Sequence, residues 1–301
     1  MYFKSCISIF VAVFACSGIA QAKLNVFVCE PEWGSLAREL GGDDVTVYVA
    51  TTAFQDPHRI EARPSLIAKM RRADLVVCSG ADLEVGWLPL LLRSSANSKV
   101  QPGQPGYFEA AMQVERLGVP ATLDRSQGDV HAQGNPHVHL DPRRLLTITD
   151  ELTERLATID PDNATSYQQR GKQFQSRLQS ATQKWEAHKE KLQGVRVVVH
   201  HTDFAYLLDW LGMKRAAALE PKPGVPPSTS HLAKLLKELQ AKPAKLVIYT
   251  AYQDNRSAKW LSERANIPAV QLPFTVGGSE QATDLIALID HTLQLLVKAV
   301  Q

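Results

Sequence analysis

Apolar segments of β-strand length alternate along this chain with segments that have helical periodicity. In the first half, strand-like runs cover residues 25–29, 45–50 and 74–78, and helix-like stretches cover residues 35–40 and 64–72. This alternation is typical of a mainly parallel sheet, because a crossover must carry the chain back before the next parallel strand can pair. We therefore predict an α/β fold in which helices flank a mainly parallel sheet.

The second half of the chain repeats this alternation. Its predicted strands cover residues 195–199, 245–249 and 269–272, and its predicted helices cover residues 204–211, 232–239, 257–265 and 283–300. The pattern predicts a second lobe that is built like the first, although the two halves do not repeat residue by residue.

A polar stretch between the two halves, residues 160–193, predicts one long helix that joins the lobes. Asp160 is a suitable N-cap and Pro161 suits the first helical turn. Apolar side chains follow at intervals of three, four or seven residues, which indicates one buried helical face. The alternative is two helices that are broken near Gly171, because a glycine inside a helix costs about 1 kcal/mol relative to alanine.

The first residues are typical of a signal peptide. Lys4 precedes an apolar run over residues 7–16, and Ala20-Gln-Ala22 suits cleavage after Ala22. The run is shorter than the roughly 18–20 residues that a membrane anchor needs; lipidation at Cys16 is a further alternative. The predicted parts of the chain are a signal peptide (1–22), an N-terminal lobe (23–159), a linking helix (160–193) and a C-terminal lobe (194–301).

The charge of the chain is nearly balanced, with 33 Lys and Arg against 31 Asp and Glu. This balance predicts neither nucleic acid nor a membrane surface as a partner. After the leader no other apolar stretch is long enough for the mature chain to insert into a bilayer.

Two cysteines remain once the leader is removed, Cys29 and Cys78, and each ends a predicted strand. Neighbouring parallel strands can bring two such residues within bonding distance, and a disulfide persists in an oxidising compartment. Two buried free thiols are the alternative.

Three histidines follow predicted strands or lie in the loops after them: His58, His137 and His201. Ligands of open parallel sheets bind beyond the carboxyl ends of the strands, so we expect these side chains to converge. One histidine in such a place is more often a cap or a hydrogen-bonded loop residue. Three of them predict a metal site, and neutral imidazole suits zinc, whereas manganese prefers more oxygen ligands.

The motifs around these histidines resemble those of a known family. Asp56-Pro-His58 precedes Glu61-x-Arg-Pro64-Ser65 and Gly80-x-x-Leu-Glu84, and further on stand Asn135-Pro-His137-x-x-Leu-Asp-Pro142 and His201-x-x-Phe204-x-Tyr206. In this order they resemble the periplasmic solute-binding proteins of zinc and manganese ABC importers, over nearly the whole mature chain.

The resemblance implies a function and a set of ligands. It implies that His58 and His137 are metal ligands from the N-terminal lobe and that His201 is the third ligand, a histidine in zinc-type members and a glutamate in many manganese-type ones. The implied protein is a periplasmic monomer and not an enzyme. It carries Zn²⁺ as its transported ligand to an ABC permease and its ATPase.

The fourth coordination position is open. The family often supplies an aspartate from the loop after the last strand, but residues 272–278 of this chain contain no carboxylate. Water is our first expectation for that position, and the other candidates are His139, Glu61, Glu220 and Asp254. Asp129 and His131 lie in a short loop near which relatives often carry a histidine-rich insertion, and the role of His131 is left open.

Two other functions share the same predicted ligands. Three histidines and a water are also the layout of a catalytic zinc, which makes a zinc-dependent hydrolase one alternative. The sequence contains neither a His-Glu-x-x-His helix nor a Gly-x-Ser-x-Gly turn. The second alternative is a metal-binding adhesin or chaperone that delivers nothing to a transporter.

Overall fold

The computed structural model of the chain describes residues 22–121, 128 and 130–301. The predicted leader up to residue 21, with Lys4 and Cys16, and the loop residue Asp129 lie outside the described residues. Within the described residues, no helix combines the length and the apolar character that a membrane crossing requires.

The N-terminal lobe is built on a parallel sheet of four strands in the order β2-β1-β3-β4. Buried side chains of β1 and β3, such as Val26 and Val77, place these two strands at the centre. The strands are β1 (Leu24–Val28), β2 (Val45–Val49), β3 (Leu75–Cys78) and β4 (Tyr107–Glu109), and the helices are α1 (Pro31–Gly41), α2 (Pro64–Met70), α3 (Leu88–Ser95) and α4 (Pro142–Ile159).

The linking helix α5 (Ala164–Leu192) is unbroken, in agreement with the single long helix that the sequence predicts. Gly171 does not interrupt it, and its lack of a side chain allows a close approach to α4. A Cβ atom on Gly171 would lie 2.6 Å from the hydroxyl oxygen of Thr153, too close for any larger residue without a shift. The glycine is therefore explained by the packing of the helices rather than by a break.

The C-terminal lobe repeats the topology, with a parallel sheet in the order β6-β5-β7-β8. Its strands are β5 (Arg196–Val199), β6 (Lys214–Ala218), β7 (Leu246–Thr250) and β8 (Ala269–Leu272), and its helices are α6 (Ala205–Leu211), α7 (Thr229–Ala241), α8 (Arg256–Ala265) and α9 (Leu285–Val300). The predicted fold class, two α/β lobes joined by a long helix, is confirmed.

Within the described residues, short 3-10 helices cover Gly42–Asp44, Ser98–Val100, Ala110–Gln113, Val138–Leu140, Pro161–Asn163 and Thr202–Phe204. One continuous hydrophobic core runs through both lobes and includes Val26 of β1, Trp185 of α5, Ile248 of β7 and Leu293 of α9. Because close-packed interiors resist deformation, this shared core holds the lobes in a fixed relative position. The carboxyl ends of both sets of strands meet at the interlobe cleft.

Candidate metal centre

Four histidine rings meet in the interlobe cleft. His58 lies in the loop between β2 and α2, His137 directly precedes the Val138–Leu140 turn, and His201 follows β5. The centroid of the His58 ring lies 5.7 Å from that of His137 and 5.6 Å from that of His201, and 6.1 Å separates the latter two. The fourth ring, His131, lies 5.3 Å from His58 and 6.3 Å from His137.

The inward-facing ring nitrogens lack hydrogen-bond partners or face each other. Among the described residues, Nε2 of His137 and Nε2 of His201 are buried without a partner. Nε2 of His58 faces Nε2 of His131 at 3.3 Å. Candidate ligand atoms of His58, His131 and His137 all lie within 4.8 Å of one another, a spacing that one cation can bridge. Buried polar atoms without partners are costly, so this cluster favours a bound cation.

Carboxylates on the outer side orient two of the rings. Nδ1 of His58 donates to Oδ1 of Asp56 at 2.8 Å, and Nδ1 of His201 donates to Oε2 of Glu220 at 2.6 Å. A carboxylate only accepts, so each Nδ1 carries the proton and each neutral ring presents Nε2 as a lone-pair donor to the cleft. Outer carboxylates of this kind fix the ring and raise its basicity toward a metal.

His137 is positioned by a contact between the two lobes. The backbone N–H of His137 donates to Oδ1 of Asn135 at 3.0 Å, and Nδ2 of Asn135 donates to the carbonyl of Thr202 at 2.8 Å. The Tyr206 hydroxyl donates to the Asn135 carbonyl at 2.6 Å. The Asn-Pro-His and Phe-x-Tyr motifs, distant in sequence, are therefore in direct contact and set the position of His137.

Burial and mutual repulsion keep two of the imidazoles neutral. Burial, followed by the charges that His58 and His201 would carry, lowers the pKa of His137 well below its usual value and that of His131 to about 3. His201 differs. Burial opposes its protonation, but the hydrogen bond to Glu220 and the nearby Asp203 outweigh burial and raise its pKa. A neutral imidazole is the form that binds a metal.

The candidates for the fourth position are placed differently. His139 lies outside the four rings, and its Nε2 donates to the carbonyl of Phe274 at 2.8 Å. Glu220 is the partner of His201, and Asp254 is exposed and accepts from Arg256. Glu61 is exposed on the segment before α2. Sequence reasoning left the role of His131 open, and only its position in the loop before Asn135 pointed to the cleft.

Two cavities border the cluster. One of about 490 Å³ is lined in part by His131, Asn135 and His201. The other, of about 320 Å³, is lined in part by His58 and His131. His58, His131 and His201 therefore border these cavities, although Nε2 of His201 is itself buried, and His137 lines neither cavity.

A disulfide joins Cys29 to Cys78, whose Cα atoms are 4.8 Å apart. It links the carboxyl ends of β1 and β3, which pair directly in the sheet. Cys29 and Cys78 are both fully buried. The bond thus ties together the two central strands of the N-terminal lobe at the edge that faces the cleft.

Comparison with known proteins identifies relatives that match most of the chain. The sequence profile of the family described as zinc-uptake complex component A, periplasmic (ZnuA), matches residues 26–299. The zinc-binding lipoprotein AdcA of Streptococcus pneumoniae is 25% identical over 262 residues, which cover 84% of this chain and 50% of AdcA. The chain thus spans about half the length of that relative.

Two further matches extend along most of both partners. The manganese ABC transporter substrate-binding lipoprotein ScaA of Streptococcus gordonii is 22% identical over 289 residues, 91% of this chain and 89% of that protein. A crystal structure of ZnuA superposes with a TM-score of 0.76 at 20% identity and covers 93% of this chain and 100% of the other. The latter match supports the two-lobed fold.

Proposed function

Because the chain belongs to the ZnuA family of periplasmic zinc-uptake components, we propose that it captures one Zn²⁺ ion in the interlobe cleft and delivers it to an ABC importer. The coarser function, a metal-binding solute-binding protein of ABC importers, follows from the family, and this confirms the resemblance inferred from the sequence. The family is one of transport components and not of enzymes, which answers the hydrolase alternative. The partners are then a permease and its ATPase.

The choice of zinc over manganese rests on the donor atoms of the site, which are imidazole nitrogens. We assign His58, His137 and His201 as ligands and His131, rather than water, as the fourth. Four imidazole nitrogens suit four-coordinate zinc, whereas manganese favours carboxylate oxygen. The two carboxylates that contact these rings, Asp56 and Glu220, already accept from the outer nitrogens of His58 and His201. Relatives include proteins named for zinc and for manganese, so their names leave this choice open.

Metal analysis with competitive titration tests this assignment. Wild-type protein should bind one Zn²⁺ and prefer it to Mn²⁺. Alanine variants of His58, His131, His137 and His201 should each lose zinc affinity, while His188→Ala on α5 serves as a control outside the cluster. Unchanged zinc stoichiometry and affinity in the His58, His137 and His201 variants would contradict the site.

Delivery requires a separate experiment. In cells that lack the protein, wild type should restore growth on limiting zinc, and His201→Ala should not. A wild type that binds zinc but restores no uptake would favour the adhesin or chaperone alternative. Export is tested by sequencing the N-terminus of the secreted chain, which should begin at Lys23 if cleavage follows Ala22 and the mature protein resides in the periplasm.

The shared core supports a capture mechanism with little movement of the lobes. Core residues of both sheets and of α5 form one packed cluster. We therefore expect zinc to order side chains and loops around the cleft rather than to close a wide hinge. Because zinc binds the folded protein, saturation should also raise the melting temperature.

A further inference from the structure

The turn after β8 has an unusual backbone conformation beside the histidine cluster. Phe274 has φ +64°, in the left-handed region that non-glycine residues rarely adopt. The N–H of Thr275 donates to the carbonyl of Pro273 at 2.8 Å, which closes a three-residue γ-turn around Phe274. A conformation of this kind costs on the order of 1–3 kcal/mol and persists only where the surroundings fix it.

Residues of the opposite lobe fix this turn. Nε2 of His139 donates to the carbonyl of Phe274 at 2.8 Å, and the Thr275 hydroxyl donates to Oε2 of Glu32 on α1. Glu32 and His139 are 2% and 1% exposed, so both bonds are shielded from water. The N-terminal lobe therefore holds a C-terminal turn in a conformation that it would not adopt freely.

The turn after β8 places an aromatic ring, and no polar side chain, against the metal centre. The Phe274 ring packs edge-on against His137 with 5.5 Å between centroids, and it is backed by the rings of Phe204 and Tyr252. Within residues 272–278 the only side-chain oxygen belongs to Thr275. The bond to Glu32 directs that oxygen into the lobe interface, so the turn offers the cluster no oxygen ligand from a side chain.

We propose that Phe274 is a specificity-determining residue for the metal and that Glu32 and Thr275 are positioning residues that hold it against His137. The Phe274 ring excludes water from this side of the cluster and so restricts the oxygen ligands that the metal can take up there. Four-coordinate Zn²⁺ tolerates this restriction, whereas Mn²⁺ binds best with additional oxygen ligands. This inference rests on the proposed function and adds the origin of its selectivity.

Three variants test the inference. Phe274→Ala removes the ring that packs against His137. Thr275→Val removes the hydroxyl and keeps the shape of the side chain. Glu32→Gln keeps the size of the acceptor but weakens the bond to Thr275. The matched control is Thr149→Val, which removes another buried threonine hydroxyl, one that donates to the carbonyl of Leu145 inside α4.

The readouts are the Zn²⁺ to Mn²⁺ affinity ratio and the visible spectrum of the Co²⁺-loaded protein, which is intense for four-coordinate cobalt and weak for six-coordinate cobalt. We expect Phe274→Ala to lower the affinity ratio about 10-fold and to weaken the cobalt bands. This is the lower end of the range of effects seen when a residue next to the ligands of a metal site is lost. Thr275→Val and Glu32→Gln should shift both readouts in the same direction by less, and Thr149→Val should shift neither.

The outcomes separate this inference from the proposed function. If the wild type binds no zinc, the proposed function itself fails. If the wild type binds zinc but Phe274→Ala and Thr275→Val keep its metal ratio and cobalt spectrum, only the inference is overturned. Equal losses of Zn²⁺ and Mn²⁺ affinity with an unchanged cobalt spectrum would also overturn it, because they indicate a purely structural role.

Discussion

The two lobes share one strand order but contribute unequally to the candidate site. The N-terminal lobe supplies His58, His131 and His137, and the C-terminal lobe supplies His201 alone. The lobes also differ where their central strands end. Cys29 and Cys78 are bonded at the ends of β1 and β3, whereas the positions of β5 and β7 that correspond to them in register are His200 and Tyr249.

Two lobes of the same topology therefore have different roles in the site: one supplies most of the ligands, and the other completes and adjusts the cluster. The N-terminal lobe holds three imidazoles close together on loops, beside two central strands that are cross-linked. The C-terminal lobe completes the cluster with one ring and helps to position His137 through Tyr206 and the Phe274 turn. We expect the first lobe to provide most of the metal affinity and the second to adjust it.

The largest expected effect is on zinc affinity, and it tests this division directly. Loss of a residue that hydrogen-bonds to a metal ligand lowers affinity roughly 10–100-fold. His137→Ala should lower zinc affinity by more than this, because it removes one of the three histidines that the N-terminal lobe brings together. His201→Ala should cost less, since His58, His131 and His137 remain. Competitive titration against a chelator measures both. Equal losses would show that the lobes contribute equally.

The next effect concerns the disulfide, which has no counterpart at the ends of β5 and β7. Replacing Cys29 and Cys78 by alanine together should reduce the free energy of unfolding by about 2–4 kcal/mol. Chemical denaturation of the metal-free protein measures this loss, and reduction of the wild type should reproduce it. Zinc affinity should stay close to wild type. An unchanged free energy of unfolding would show that strand packing alone holds this edge.

Much of the fold could be predicted because the central strands are continuous apolar runs. β1, β3, β5 and β7 are buried and rich in valine, so local pattern and burial agree. β4 is only Tyr107–Glu109, and β6 contains Lys214 and Arg215, which are exposed. β4 is too short to show a pattern and in β6 only the three alanines are apolar, so their strand character comes from pairing with a neighbour. Helix α4 is not among the predicted helices, although Asp141-Pro142, named above only as part of a motif, is a suitable start signal for it.

The site could be predicted only in part, for a related reason. His58, His137 and His201 stand in motifs or directly after a strand, where topology fixes their direction. The direction of His131 depends on the path of a loop, and no local pattern specifies that path. The bonds from Thr275 to Glu32 and from His139 to Phe274 join residues of different lobes, so they require the packed structure.

A smaller effect is expected from the two outer carboxylates, one in each lobe. Asp56→Asn and Glu220→Gln keep the shape of the acceptor but remove its charge, so each should lower zinc affinity toward the lower end of roughly 10–100-fold. The Glu220 variant should have the larger effect, because the Glu220 side chain is 15% exposed and that of Asp56 is 38% exposed, so water screens the Glu220 charge less. Titration of both variants at neutral pH measures this. A larger loss for Asp56→Asn would reverse the expected ranking.

The smallest effect is a shift in the pH dependence of zinc binding, and it also separates the lobes. The pKa of His201 is raised despite burial, chiefly by the hydrogen bond to Glu220, whereas the pKa values of His131 and His137 are lowered. As the pH falls, His201 therefore takes up a proton before His131 and His137 do, at a pH above the ordinary histidine pKa of about 6.5, and loses its lone pair for the metal.

Zinc affinity of the wild type should accordingly begin to fall above pH 6.5, while His131 and His137 are still neutral. Glu220→Gln should move the start of this fall to lower pH. The folding stability of the metal-free protein should depend on pH in the opposite direction. Because the pKa of His201 is raised in the folded state, its contribution to stability is complete below pH about 6.5 and is lost as the pH rises through the folded pKa. Zinc titrations between pH 5.5 and 8 measure the first effect. An identical pH profile in wild type and Glu220→Gln would place the proton-sensitive step outside the C-terminal lobe.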